Sequence, residues 1–223
     1  MFTNLPPVTK GLLIINCAVF VLQLLLGPAL DPFMLWPWLP PEAAGQGLPN
    51  FMPWQLLTHG FMHSTGNPAH LLFNMLALLM FGAQLEYVWG QRRFLTYYLV
   101  CVLGAGLCQL AVVSWSVRNG GGIYPTLGAS GGVFGLLLAY GMLCPNQRVM
   151  LLFPPIPMKA RTLVILYGVF ELGLGLTGLQ PGVAHFAHLG GMLFGWLLIR
   201  YWRGQPPFGG SKRKPKPRMR IVP

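Results

Sequence analysis

Six long runs of apolar residues, separated by shorter polar stretches, set the pattern of this chain. They cover residues 11–29, 69–88, 94–115, 127–144, 162–179 and 183–201. Each run is close to the ~20 residues that an α-helix needs to cross a bilayer, and a helix satisfies its own backbone hydrogen bonds in lipid. None of the runs alternates with the two-residue period of a membrane β-barrel. The pattern therefore predicts an all-α membrane protein, with a six-transmembrane-helix bundle over residues 1–203.

Two segments lie outside these runs. Residues 30–68 form the first loop, and its tryptophans and prolines predict that it lies in the membrane interface. Residues 204–223 are rich in glycine, proline and basic residues, which is typical of a disordered tail held near anionic lipid headgroups. The first apolar run lacks the basic start and the cleavage site of a signal peptide, so we expect it to be retained as an anchor.

The charge of the chain predicts how the helices are oriented in the membrane and does not otherwise change this prediction. Hydrophobic residues make up 54% of the chain and charged residues 9%, against about a quarter charged in soluble proteins. The net charge is +11, but every lysine and arginine except Arg118 falls on one side of the six-run pattern. The positive-inside rule then places both termini in the cytoplasm. Topology accounts for the basic residues, so nucleic acid is not expected as a partner.

Polar side chains inside the apolar runs are few, and several of them lie near the starts of the second, fourth and sixth runs. His70 and Asn74 are one turn apart in the second run, Ser130 lies in the fourth, and His188 lies in the sixth. With the N-terminus inside, all three runs cross from outside to inside. At ~1.5 Å per residue, each group lies within roughly 10 Å of the outer end of its helix. We expect them to converge at one level of the membrane.

Glycines surround these residues at spacings that permit close helix packing in lipid. The packing positions are Gly128, Gly131, Gly132, Gly135, Gly191 and Gly195, which include two GxxxG pairs. If the fourth and sixth runs meet along them, Ser130 comes within hydrogen-bonding reach of His188. A serine hydroxyl needs such a base to become a nucleophile. The resulting oxyanion needs donors, for which the backbone N–H of Ser130 and the side chains of His70 and Asn74 are candidates.

A third, acidic member of this site is hard to find. The chain has four acidic residues, and none stands obviously at the level of His188: Asp31, Glu42, Glu86 and Glu171. We therefore predict a dyad of Ser130 and His188 rather than a triad. Glu171 lies inside the fifth run, where lipid exposure would be costly, so we expect its carboxyl group to be neutral or hydrogen-bonded to a neighbouring helix. It receives no role. His185 is interpreted as a hydrogen-bonding neighbour of the site.

Metal binding is the alternative for the remaining histidines. His59 and His63 are one turn apart in the first loop, a spacing that zinc sites use. No HExxH motif is present and no carboxylate is near in sequence, so structural histidines are favoured. Four cysteines lie within apolar runs and are interpreted as small buried hydrophobic residues. No metal or cofactor is expected.

Ser130 also has two less specific interpretations. One is a serine that only packs between helices. The other is the nucleophile elbow of α/β-hydrolases, because GASGG satisfies GxSxG. The elbow requires a strand before the serine and a surrounding sheet, and the apolar runs provide neither.

Three segments in order, HLLFN, GASGG and AHLGGMLFG, resemble the rhomboid family of intramembrane serine proteases. The resemblance covers roughly Trp54 to Trp202. It implies a minimal, bacterial-type member in the cytoplasmic (inner) membrane, cleaving transmembrane segments of membrane proteins near the outer face. By position, Ser130 is similar to the nucleophile and His188 to the general base. His70 and Asn74 match the oxyanion-stabilising pair.

The chain departs from the family in its first loop. Trp54 is followed by Gln55, where the family often has arginine, and the segment before His70 is longer, so the loop structure stays open. Two other functions also stay open: a catalytically inactive rhomboid-like protein that binds transmembrane clients, and a small transporter. The intact site argues against the first. A transporter predicts polar groups near the midplane rather than at one end.

Overall fold

The computed structural model describes residues 5–40, 47, 49–150, 156–179 and 183–208, and most of this part of the chain is helical. Its helices are α1 (Pro7–Leu26), α2 (Gln55–Thr58), α3 (Pro68–Trp89), α4 (Gln91–Arg118), α5 (Ser130–Leu143), α6 (Ala160–Thr177) and α7 (His185–Trp202). Short 3-10 helices follow α1 and α2 at Gly27–Phe33 and His59–Phe61, and a π-helical turn interrupts α3 at Leu78–Gly82. Between α5 and α6, strand β1 (Arg148–Met150) pairs antiparallel with β2 (Pro157–Lys159).

Within the described residues, four helices are long and apolar enough to cross a membrane: α1 continued to Phe33, α3, α4 and α6. Helix α5 is also apolar but has 14 residues. At ~1.5 Å per residue it spans roughly 21 Å, less than the ~30 Å hydrocarbon core. Helix α7 has 18 residues. A helical membrane protein is therefore confirmed, with a helix in each predicted run, whereas the six-span topology stays a prediction.

Many of the apolar side chains that remain exposed lie on α1 and α6. Leu25 of α1 is 74% exposed, and Phe170 and Leu176 of α6 are 66% and 71% exposed. Single exposed leucines are common on soluble proteins, but continuous apolar faces on long helices are not. These faces fit contact with lipid.

The centre of the bundle is the packing of α4, α5 and α7. Glycines make the helices meet closely: a Cβ atom at Gly191 of α7 would overlap the carbonyl oxygen of Gly131 of α5. One turn further along α5, the carbonyl oxygen of Gly135 accepts a 2.8 Å hydrogen bond from the buried Tyr97 hydroxyl of α4. A side chain at Gly191 would push α5 and α7 apart, and a side chain at Gly131 would overlap Ala105 of α4. The crossing brings the first turn of α5 beside the first turn of α7.

Helix α1 is tied to the far end of α3 by a buried carboxylate. Glu86 accepts hydrogen bonds from the backbone N–H groups of Val8 and Thr9 at 2.9 and 2.7 Å, and from the Thr9 hydroxyl at 2.8 Å. These N–H groups belong to the first turn of α1, which has no intrahelical acceptor for them. A negative charge there also interacts favourably with the helix dipole. Glu86 is therefore a structural cap, distant in sequence from the helix that it caps.

In the first loop, Gln55 takes a central structural position. Its side-chain oxygen accepts hydrogen bonds from the backbone N–H groups of Trp36 and Met52 at 3.1 and 3.2 Å, and its amide nitrogen donates to the carbonyl oxygen of Pro32 at 3.0 Å. Gln55 is 1% exposed. A neutral amide thus organises the loop at the position where the family resemblance suggested arginine. The loop lies against the bundle through a backbone pairing of Leu35 with Thr126.

Candidate active site

Ser130 is the first residue of α5, and the turn before it is built for close approach. Gly128 has a φ of +128°, which residues with a side chain rarely adopt. A Cβ atom there would also lie 2.8 Å from Nε2 and Cε1 of the His70 ring. The backbone N–H of Gly128 is held by the carbonyl oxygen of His59 at 2.9 Å. Gly128 therefore allows the serine and the His70 imidazole to lie side by side.

The serine faces a histidine from α7. The Ser130 hydroxyl oxygen lies 2.8 Å from Nε2 of His188. The imidazole stacks on the ring of Phe134, one helical turn after Ser130, with centroids 4.2 Å apart and an interplanar angle of 5°. His188 is 8% exposed. The arrangement holds a base in hydrogen-bonding contact with a hydroxyl that it could deprotonate.

Glu171 of α6 is the third member of this group, which the sequence analysis did not anticipate. Its Oε2 atom lies 2.8 Å from Nδ1 of His188 and 2.7 Å from Nδ1 of His185. The prediction that no carboxylate stands at the level of His188 was therefore wrong. The level of a residue depends on how neighbouring helices are offset and tilted, and apolar runs do not reveal either. His185, as expected, is a hydrogen-bonding neighbour of the site.

His70 and Asn74 of α3 lie on the other side of the serine. The Asn74 side chain donates one N–H to the carbonyl oxygen of His70 at 2.8 Å, which leaves its second N–H for another acceptor. Nδ1 of His70 is 3.4 Å from the backbone nitrogen of Ser64, which donates to it. Nε2 of His70 is thereby directed to the side of Gly128 and Ser130. Two side chains of α3 thus line the space in front of the hydroxyl.

A cavity of about 910 Å³ joins these groups. It runs along α5 from Asn67 and Ser130 at one end to Val149 and Leu163 at the other, with α3 on one side and α6 on the other. Its lining is mainly apolar, and its polar side chains gather at the serine end. A cavity of this shape can hold a stretch of apolar polypeptide, with one bond near the hydroxyl.

The two loop histidines border the site, but in the described part of the chain their rings make no hydrogen bond to Ser130 or His188. Burial lowers the pKa of His59 to about 4, and Nδ1 of its ring donates to the carbonyl oxygen of Gln55 at 2.8 Å. Burial, together with the nearby His70, lowers the pKa of His63 to about 4. His63 is fixed by Gln23 of α1, whose side chain bonds both its backbone N–H and its carbonyl oxygen. Both histidines have the surroundings of neutral structural residues.

Glu171, His185 and His188 are also a set that could hold a metal ion, because their ligand atoms lie within 4.8 Å of one another. The two nitrogen–oxygen distances of 2.7 and 2.8 Å are those of hydrogen bonds. Two ligands of one tetrahedral zinc ion, each ~2.0–2.1 Å from it, stand roughly 3.3 Å apart. The geometry fits protons between these atoms better than a metal.

The class that these features define is a helical membrane protein with a serine–histidine site at the start of a short helix. The Rhomboid domain matches residues 50–204, and the chain belongs to the rhomboid family. The motif resemblance over Trp54 to Trp202 is confirmed.

Curated relatives occur in plants, bacteria and yeast. The chain is 33% identical to RHOMBOID-like protein 4 of Arabidopsis thaliana over 164 residues, which is 74% of this chain and 38% of that protein. It is 30% identical to Rhomboid protease GluP of Bacillus subtilis over 64% of this chain and 25% of that protein. It is 29% identical to Rhomboid protease AarA of Providencia stuartii over 65% of this chain and 54% of that protein. The chain thus spans about half or less of these relatives.

Proposed function

We propose that this protein is an intramembrane serine endopeptidase that cleaves transmembrane segments of membrane proteins near the outer face of the bilayer. The observation that carries the proposal is the 2.8 Å contact between the Ser130 hydroxyl and Nε2 of His188, inside a cavity. Family membership supports intramembrane proteolysis in general, because two of the relatives are named rhomboid proteases. Ser130 is the nucleophile in this proposal and His188 is the general base.

Stabilisation of the oxyanion falls to groups around the serine. Ser130 begins α5, and the first N–H groups of a helix have no intrahelical acceptor. Its own backbone N–H is therefore one donor. The free N–H of Asn74 and the His70 ring supply further donors from the facing helix. Such donors act where charge develops during attack, so their loss should lower turnover rather than binding.

The cavity suggests what the substrate must be. Its long apolar part runs along α5, so a transmembrane segment could lie there with its outer end at Ser130. A peptide bond within a regular helix is shielded by its own hydrogen bonds, and attack requires local unwinding. We expect substrates with glycine, proline or other weak helix formers at that end, and a small residue just before the cut. Water would reach the site from the outer side.

The topology in this proposal is six spans with both termini in the cytoplasm of a bacterial cell. The basic residues support it: Lys10, Arg92 and Arg200 lie in the terminal turns of α1, α4 and α7, and Arg148 lies in β1, beyond the end of α5 opposite to Ser130. The basic segment 204–223 would lie near anionic headgroups, and its residues 209–223 fall outside the described part of the chain. Reporter fusions after residue 223 and within the first loop should report opposite sides; the same side for both would contradict the topology.

The test is covalent labelling of Ser130 by a fluorophosphonate, together with cleavage of a transmembrane peptide in proteoliposomes. The wild-type protein should react and cleave, and Ser130→Ala should do neither while it keeps the wild-type unfolding temperature. An inactive rhomboid-like protein that binds clients would retain the peptide without cleaving it or reacting. That result would replace the protease proposal.

A further inference from the structure

Helix α6 is predominantly apolar but carries one acidic side chain, that of Glu171. Glu171 is 8% exposed, and the partners of its carboxylate are His188 and His185, themselves 8% and 5% exposed. Both imidazoles use Nδ1, and both address the same oxygen, Oε2. A buried carboxyl group in the membrane is costly unless it is paired. Glu171 lies beside His188, the base of the proposed reaction, so its buried carboxylate can assist that base.

The hydrogen bonds determine where the protons of His188 lie. An ionised carboxylate can only accept, so Nδ1 of His188 must carry the proton that lies between it and Glu171. In a neutral imidazole the other nitrogen is then unprotonated. That nitrogen, Nε2, is the atom 2.8 Å from the Ser130 hydroxyl, and it can accept the hydroxyl proton. The carboxylate therefore selects the one tautomer in which His188 can act as a base.

We propose that Glu171 is a positioning residue that turns the serine–histidine pair into a triad, with His185 fixing the carboxylate. This inference rests on the proposed protease function and adds to it a residue that neither the motifs nor the family match assigns. Three neighbouring helices contribute: Ser130 from α5, Glu171 from α6 and His188 from α7. Glu171 does not touch the substrate; it acts through His188.

The reaction balances with these groups alone. As the Ser130 oxygen bonds to the scissile carbonyl carbon, its proton passes to Nε2 of His188, and the imidazolium is stabilised by the adjacent Glu171 carboxylate. When the carbon–nitrogen bond breaks, Nε2 of His188 donates that proton to the leaving amine. A water molecule then repeats the sequence on the acyl-enzyme: its proton passes to Nε2 and on to the Ser130 oxygen, and its oxygen stays in the carboxylic acid product.

His185 explains why the carboxylate stays in place. It lies one turn before His188 on the same helix and donates from Nδ1 to the same oxygen at 2.7 Å. Its Nε2 atom is buried without a hydrogen-bond partner in the described residues, so the bond to Glu171 is its identified polar contact. Two donors from one helix hold a single carboxylate oxygen, which restrains the rotation of the Glu171 side chain.

A purely structural role is the competing explanation, since the same bonds also join α6 to α7. The two roles differ in what they change. A structural bond contributes to stability and to the shape of the cavity, and its loss would affect the unfolding temperature and KM. A positioning bond contributes to the protonation and charge of His188, and its loss would affect kcat and the reactivity of Ser130.

The experiment compares wild-type protein with Glu171→Gln and Glu171→Leu in proteoliposomes. We expect kcat for cleavage and the rate of fluorophosphonate labelling to fall by ~10²- to 10⁴-fold, with KM within a few-fold of wild type. Glutamine removes the charge and leucine removes the acceptor, so the leucine variant tests the inference if the glutamine variant keeps a hydrogen bond. In ¹⁵N spectra of labelled histidine, His188 should carry its proton on Nδ1 in the wild type and lose this preference in the leucine variant.

Glu86→Gln is the matched control, because Glu86 is also a buried glutamate but caps α1 away from the site. It should lower the unfolding temperature and leave the labelling rate of the folded protein unchanged. Wild-type kcat in both Glu171 variants would overturn the inference, as would a loss that follows the folded fraction or KM. A wild-type protein that neither cleaves nor labels would instead refute the protease function.

Discussion

Helices α5 and α7 cross closely because Gly191 has no side chain. The distance between Ser130 on α5 and His188 on α7 depends on this crossing. Gly131 follows Ser130 directly, and Gly191 lies three residues after His188. In Gly191→Ala, the new methyl group would overlap the carbonyl oxygen of Gly131. Because non-bonded carbon atoms pack best at ~3.5–4.0 Å, the helices must separate there by roughly 1 Å or more. That displacement acts on the 2.8 Å contact between Ser130 and His188.

Two effects of different size should follow from Gly191→Ala. Overpacking of this kind costs ~1–3 kcal/mol, which for a chain of this length lowers the unfolding temperature by several degrees at ~2–4 °C per kcal/mol. A 1 Å misplacement of reacting groups can cost ~100-fold in rate. We therefore expect a variant that folds at 25 °C but cleaves a transmembrane peptide at least ~100-fold more slowly.

The assay is peptide cleavage in proteoliposomes beside thermal unfolding of the same sample. Gly173→Ala on α6 is the control, because a Cβ atom there meets nothing within 4 Å. It should leave the rate unchanged and should not lower the unfolding temperature, because alanine is the better helix former. If Gly191→Ala kept wild-type rate and stability, the helix crossing would not be what sets the geometry of the site.

Three other predictions concern the Ser130–His188 pair, Asn74 and His59. Ser130→Ala and His188→Ala should each abolish cleavage, and the double variant should be no worse than either, because the pair acts as a unit; additive losses would mean separate roles. Asn74→Ala should lower kcat by ~10- to 1000-fold with KM nearly unchanged, since one oxyanion donor is lost, whereas a change in KM alone would make Asn74 a binding contact. His59 is neutral when buried, with a pKa of about 4, so the unfolded chain binds its proton first. Its contribution to stability is intact above pH 6.5 and is lost as the pH falls towards 4, by about 2 kcal/mol between pH 7 and pH 5. His59→Gln should flatten that part of the pH dependence of thermal unfolding, and an unchanged slope would refute the assignment.

Hydrophobic pattern predicted the helices well because the bilayer fixes their length and composition. The run 69–88 became Pro68–Trp89, and the run 183–201 became His185–Trp202. What the pattern could not predict is structure that involves no change of hydropathy. The π-helical turn Leu78–Gly82 lies within a uniformly apolar run, and the β1–β2 hairpin consists of two three-residue strands.

Motifs within one helix were recognised for a related reason. Side chains three or four residues apart share a helix face, so His70 with Asn74, and His185 with His188, could be grouped by spacing alone. Glycine pairs at the same spacing then indicated which helices could meet. Contacts of Gln55 across the loop have no such period, and an amide that bonds two distant backbone groups, those of Pro32 and Trp36, could not be recognised from its neighbours in sequence.

Glu171 was missed because its level in the membrane was judged from the predicted helix ends alone. Helix α6 ends at Thr177, two residues before the predicted end, so Glu171 lies six residues from that end, or ~9 Å. His188 lies three residues after the start of α7, or ~4.5 Å from it. Helix α7 likewise begins two residues after the predicted start, so the difference of ~4.5 Å is the same as the predicted runs give. It is taken up by the offset of the two helices and the length of the glutamate side chain. The energetic cost of placing a carboxyl group in the membrane was the more informative criterion, because such a group requires a polar partner. The chain has five histidines, and the two on α7 begin the helix that follows Glu171 directly. Adjacent antiparallel helices joined by a short loop pack together, so those two histidines were the partners within reach.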